Sequence, residues 1–241
     1  MKSTSTKRGA RAEPAEDTKT RLLLAAIEVF GRHGFEAAST RMLAEAAGVN
    51  LQSIPYYFES KEGLYLAVAH YIVERIQDRV HPLIELVYER LAARAEGPRR
   101  KVPKEDAREL LQEVLTSMAR LFLHNESEPW ARFMIREQMD PTAAFDIVYA
   151  RVLSPMLELL RVLLGHALGK DPNSEQVRLR AMSTMGQVLV LRAGRATLMR
   201  QLAWKKIGAD ELAAADALVA NLVLAIVPAP PVGGARVRGR A

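Results

Sequence analysis

The side chains best suited to chemistry lie between Thr40 and Lys61, and the chemistry they suit is hydrogen bonding without catalysis. Asn50, Leu51, Gln52, Ser53, Tyr56 and Tyr57 crowd into eight positions without a charge among them. Amide and hydroxyl groups match the donor and acceptor pattern of base edges in a major groove, and apolar surfaces suit thymine methyls. Thr40, with Arg41 beside it, and Lys61 fall where helices begin, and backbone N–H groups at such ends favour a phosphate. Elsewhere the chain offers little to a reaction. It has no cysteine, so disulfides, thiolate metal sites and a thiol nucleophile are excluded. His33, His70, His81, His124 and His166 are scattered, with no two at ligand spacing on one helix. No glycine-flanked serine or phosphate loop occurs. His124, Glu126 and Glu128 come nearest to a metal cluster, and they read better as a solvated loop with a capping role. We expect no catalytic residue, no metal, no cofactor and no enzyme.

These side chains need short helices at a steep angle to present them. Leu22, Leu23, Ala26, Ile27 and Phe30 make one apolar stripe, so a helix starts at Asp17 or Thr18 and stops at Gly34. A second runs from about Thr40 to Ala47 with Met42, Leu43 and Ala46 inward. The turn Gly48-Val49-Asn50 follows, and Gly48 suits the left-handed backbone that ends a helix. A third helix runs from Asn50 to near Tyr57, with Val49 and Ile54 turned to the core. A fourth begins at Ser60, capped by its hydroxyl, and carries Leu64, Ala67, Val68 and Tyr71. Two short helices joined by a glycine turn form a helix-turn-helix. A plain helical hairpin with half-buried tyrosines would show the same pattern.

Across Arg21 to Tyr71 the chain resembles the DNA-binding domain of the TetR family of regulators. Ala26, Phe30, Gly34, Phe35, Ala38, Thr40, Leu43, Ala44, Gly48, Val49, Ile54, Phe58, Lys61, Leu64 and Ala67 carry the likeness. One position departs: Pro55 stands where most members have a tyrosine that commonly touches a phosphate, so Tyr56 or Tyr57 has to serve. Proline is tolerated only near a first turn, so the third helix bends or starts late. The runs Ile54 to Phe58 and Ser60 to Tyr65 resemble a narrower subgroup, the CecR-like regulators.

After Pro82 the helical signal continues to Arg94, and residues 95–104 form a loop. Helices are expected at 105–124, 129–139, 142–167, 174–202 and 210–227. The fold class is all-α: an N-terminal three-helix helix-turn-helix domain plus a larger helical domain for ligand and dimer. The expected boundaries are a disordered basic arm over 1–16, the DNA-binding domain over 17–76, the ligand-binding and dimerisation domain over 77–227, and a disordered tail over 228–241. The net charge of +6 resides in the two ends, +3 in residues 1–13 and +3 from residue 228 onward, so the body is neutral. The charge is therefore weak evidence for nucleic acid.

The segment 124–141 concentrates aromatic, methionine and charged residues in a chain with only 6% aromatics, and it resembles the CecR-like C-terminal domain. Met118, Phe122, Trp130, Phe133, Met134 and Glu137 could line a mostly apolar ligand pocket, or serve as core. Met182, Met185, Val188, Leu189, Leu191, Leu218, Leu222 and Leu224 exceed one intramolecular face, and Gly186, Ala193 and Gly194 would let another helix approach. The resemblance implies a homodimer through the last two helices; a buried pair in a monomer is the other reading. No apolar run is long enough to span a membrane, and we expect a cytoplasmic protein. The implied function is a sequence-specific transcriptional regulator, a repressor released from a double-stranded DNA operator by a small-molecule effector. The alternative is a DNA-binding co-regulatory or structural protein without ligand control.

Overall fold

Apolar residues at three- and four-residue spacing build the first helix, α1 (Ala15–Ala37), with Leu22, Ala26, Ile27 and Phe30 buried. This is a computed structural model, and it describes residues 15–95, 102–124 and 128–227. The expected tail and all but residues 15–16 of the expected arm lie outside those residues, as do 96–101 of the expected loop. Among the described residues all regular structure is helical. Gly34 interrupts α1 at φ 78° and ψ 176°, the stop read from the sequence, and a last turn continues to Ala37.

Next come α2 (Thr40–Ala47), α3 (Ser53–Phe58) and the long α4 (Lys61–Arg94), which carries Pro82 within it. In α2 the buried alanine is Ala44, and Ala46 faces solvent, a correction to the expected inward set. The third helix starts three residues later than expected. Pro55 thereby falls in its first turn, where no intrahelical N–H is required.

The remaining elements are α5 (Lys104–Leu123), α6 (Glu128–Met139), α7 (Ala143–Val148), α8 (Ser154–Leu168), α9 (Glu175–Ala193), α10 (Arg195–Gln201) and α11 (Ala209–Ile226). The described residues form two compact units. The first takes residues up to 72 together with 132–147; the second takes 73–131 and 148 onward. In the second, α5 is central and packs on α8, α9 and α11 through Leu111, Val114, Leu115, Leu159, Leu163, Val188 and Val219.

Two helices expected as continuous are divided. The span 142–167 contains one π-helical turn, Tyr149–Leu153. There Gln77 Nε2 donates to the Arg151 carbonyl (3.1 Å), and Arg151 Nη2 donates to Gln77 Oε1 (2.7 Å). The span 174–202 breaks at Gly194, between α9 and α10. The break seats Arg192 and Arg195 against the end of α5, donating to the His124 and Leu123 carbonyls. Last-turn carbonyls have no intrahelical partner, so two guanidinium groups at that end satisfy them and complement the helix dipole.

Candidate nucleic-acid interface

Backbone hydrogen bonds fix the turn that aims α3. Ser39 caps α2, its Oγ accepting from Met42 N at 3.1 Å. At the other end Gly48 adopts φ 64°, ψ 37°; Gly48 N donates to the Glu45 carbonyl and Val49 N to that of Ala44. Both bonds together are a Schellman ending, which turns the chain sharply out of the helix. Asn50 then holds the start of α3: its Oδ1 accepts from Gln52 N (2.9 Å) and its carbonyl from Ser53 N (2.9 Å). Asn50 is thus a turn former whose side-chain oxygen is already engaged.

Ile54 and Phe58 are the buried side of α3. Leu51, Gln52 and Tyr56 stand out from the surface, Tyr56 with 79% of its area exposed, while Ser53 and Tyr57 are half-buried. The rings of Tyr56 and Tyr57 meet edge-on at 4.7 Å. The projecting face is neutral and carries amide, phenol and aliphatic groups, the combination that discriminates base edges.

The flanking candidates differ among themselves. Thr40 is half-buried at the first position of α2. Arg41 is exposed and paired with Glu45 (2.8 Å), a surface pair weak enough to exchange for a phosphate. Lys61 is engaged inward. Its Nζ donates to the carbonyls of Phe35 (3.0 Å) and Ala38 (3.2 Å) and sits 4.2 Å over the Phe35 ring. It therefore closes the corner between α1 and α2. At the start of α4, Ser60 Oγ accepts from Gly63 N (3.0 Å). The Glu62 carboxyl lies below the ordinary carboxylate range through hydrogen bonds from its own backbone N–H and from Ser60. A carboxylate in that first turn competes with a phosphate for the same dipole.

The six residues expected to line one pocket fall into two groups. Met118, Phe122 and Trp130 belong to the second unit: Met118 is buried core, Phe122 is half-buried, and the Arg79 guanidinium lies 5.5 Å from the Trp130 ring centre. Phe133, Met134 and Glu137 belong to the first unit. There Phe133 packs on Tyr65 (4.9 Å between centroids), and Tyr65 meets Phe30 (4.7 Å) and Phe35 (5.1 Å) edge-on. Glu137 is wholly buried and accepts from the Tyr65 hydroxyl, from Thr142 N (3.0 Å) and from Thr142 Oγ1 (3.1 Å). Burial, then the bond and charge of Glu137, push the Tyr65 hydroxyl well above the ordinary tyrosine pKa. Arg136 donates to the Arg32 carbonyl (3.2 Å), and Arg132 reaches Glu28 (3.9 Å). Tyr65, Arg136 and Thr142 were not among the expected site residues. The four-residue spacing of Phe133 and Glu137 put both on one helix face, but the partner of that face is distant in sequence.

An open groove of about 380 Å³ runs along α5, lined by Glu109, Gln112, Glu113, Thr116, Ser117 and Arg120. Its lining residues are all of polar or charged type and include none of the expected pocket residues. No described helix is long and apolar enough to cross a membrane.

Comparison with known proteins agrees with this geometry. Residues 22–68 match the model for bacterial regulatory proteins of the tetR family. Residues 107–229 match the C-terminal domain of the HTH-type transcriptional dual regulator CecR. The CecR regulator of Shigella flexneri is 34% identical over 189 residues, 78% of this chain and 82% of that one. Among solved structures, AibR in complex with isovaleryl coenzyme A and operator DNA superposes with a TM-score of 0.58 at 15% identity, over 88% of this chain and 98% of its own. FadR from Bacillus subtilis in complex with stearoyl-CoA gives 0.51 at 20% identity, over 86% and 98%. At such identities these two speak to the fold alone.

Proposed function

The chain belongs to the tetR family of bacterial regulatory proteins, with a C-terminal domain of the CecR type, and on that premise we propose that it is a sequence-specific DNA-binding transcriptional regulator. We read it as a cytoplasmic homodimer that represses from a double-stranded operator and is released by a small-molecule effector. The observation that carries the DNA reading is the exposed, uncharged face that Leu51 and Gln52 of the preceding turn form with Tyr56 of α3, a helix fixed by the Gly48 ending and the Asn50 turn. Leu51, Gln52, Tyr56 and the partly exposed Ser53 and Tyr57 contact bases. Thr40 and Arg41 lie against the DNA backbone.

The homodimer is supported by exposed apolar residues on α9 and α11. Two-fold symmetry presents two reading helices to half-sites one helical turn apart, or a multiple of it. An effector can change operator affinity only by as much as it prefers one state over the other. A second reading, a DNA-binding protein without ligand control, is favoured by the engagement of Phe133 and Glu137 with Tyr65. We assign no catalytic role to any residue.

The test is a gel shift of purified protein on its own upstream DNA at fixed salt, with scrambled competitor. Retardation that resists the competitor supports the regulator, and its loss on addition of a screened compound supports effector control. Retardation abolished equally by scrambled DNA, there and in a genome-wide binding selection, would overturn the regulator reading.

A further inference from the structure

Glu137 is the one fully buried carboxylate among the described residues, and it sits in the last turn of α6. No arginine or lysine among them forms an ion pair with it; its donors are Tyr65 and Thr142. A carboxylate taken out of water loses several kcal/mol of hydration. Apolar residues of the same size would hold 132–147 against the rest of the first unit at least as firmly. What a hydrogen bond adds is direction, because it weakens steeply once distance or angle departs from a narrow range.

The direction matters because of what Tyr65 touches. Its ring lies among Phe30, Phe35 and Phe133, so the bond at its hydroxyl fixes the plane against which Phe30 and Phe35 rest. Phe35 lies under the Lys61 ammonium, which grips the Phe35 and Ala38 carbonyls immediately before Ser39, the cap of α2. A contiguous set of contacts therefore joins Glu137 to the corner from which α2 and α3 spring. We propose that Glu137 is a positioning residue for the reading helix, acting through the Tyr65 hydroxyl to fix that corner. This role rests on the DNA-reading function proposed above.

The experiment uses the full chain in three forms: wild type, Tyr65→Phe and Glu137→Gln. Hydrogen exchange of the α2 and α3 amides is read without DNA, and affinity is read on upstream and scrambled duplexes. Tyr65→Phe removes the donor and keeps the ring; Glu137→Gln keeps one acceptor oxygen, which can still serve the Tyr65 hydroxyl, but turns its NH2 toward the Thr142 N–H. The expected result for Tyr65→Phe is exchange in α2 and α3 faster by about tenfold with α5 and α8 unchanged, and specific affinity lower by a similar factor with scrambled binding unaltered. Glu137→Gln, with one acceptor left for Tyr65, falls between wild type and Tyr65→Phe in both; an effect larger than that of Tyr65→Phe overturns a role exerted through the Tyr65 hydroxyl. Uniformly faster exchange across both units, or unchanged α2–α3 protection, overturns the proposal in favour of simple packing. Should Tyr65→Phe fail to fold, Thr142→Val, which removes one donor to Glu137 at the surface end of the network, gives the same comparison with a smaller shift. If the wild type shows no sequence preference, the DNA reading fails and the exchange measurement still decides the role of Glu137.

Discussion

At the scale of single residues the reading face separates contact from support. Gln52 projects its amide from the position just before α3 with only its backbone engaged, whereas the Asn50 side-chain oxygen is spent on the turn itself. Gln52→Ala is therefore expected to lower affinity for the specific site by about 1–3 kcal/mol while leaving scrambled DNA unaffected. Gel shifts on the two duplexes measure it, and equal weakening on both would move Gln52 to the backbone contacts. The uncharged face was legible in the sequence because residue type and a glycine turn suffice to define it. The inward use of Lys61 was not: its target carbonyls belong to a helix end more than twenty residues away. The same holds for Glu137, whose composition suggested a pocket wall and whose bond to Tyr65 only the tertiary arrangement supplies.

Among the elements, the corner between α3 and α4 is the tightest. Glu59 occupies φ 67° and ψ −45°, and Ser60 N donates back to the Phe58 carbonyl at 2.7 Å, the rarer γ-turn with positive φ. That carbonyl is pressed against Gly63, where a Cβ would come within 2.0 Å of it. Gly63→Ala cannot be relieved by rotating a side chain, because the obstacle is backbone. It should cost about 1–3 kcal/mol, read by denaturant unfolding, and α4 or α3 must shift to accept it. A neutral result would mean that α3 and α4 move apart there without cost. Most helix spans were legible from periodicity and caps; Pro55 left a bend or a late start open for α3, and the helix starts late, at Ser53 where Asn50 was expected. The π-helical turn and the break at Gly194 were not. Each is set by a distant partner, Gln77 in one case and the last carbonyls of α5 in the other.

For the whole molecule the unresolved matter in a single chain is α9, which is apolar on two sides. Val177, Ala181, Met185 and Val188 face the core. Leu179, Met182 and Val190 are 63%, 54% and 56% exposed, with Gly186 between them and open space where its Cβ would be. On α11 Leu218 and Leu224 are also exposed, and Arg180 of α9 donates to the Ile226 carbonyl at its end. An exposed apolar stripe of this kind, opposite the face that meets the core, marks an interface. Gly186→Leu and Met182→Glu together separate the possibilities. In a monomer both face water, so the fold and the mass of 26.7 kDa stay as they are. In a two-fold dimer every substitution enters the interface twice, and a buried unpaired carboxylate on each side costs several kcal/mol. The expected outcome is a wild type that sediments at twice the chain mass and a variant that sediments as a folded monomer, with operator affinity lost because the two half-sites are no longer bound together. A wild type that sediments as a monomer at micromolar concentration would remove the dimer, and with it the symmetric-operator reading.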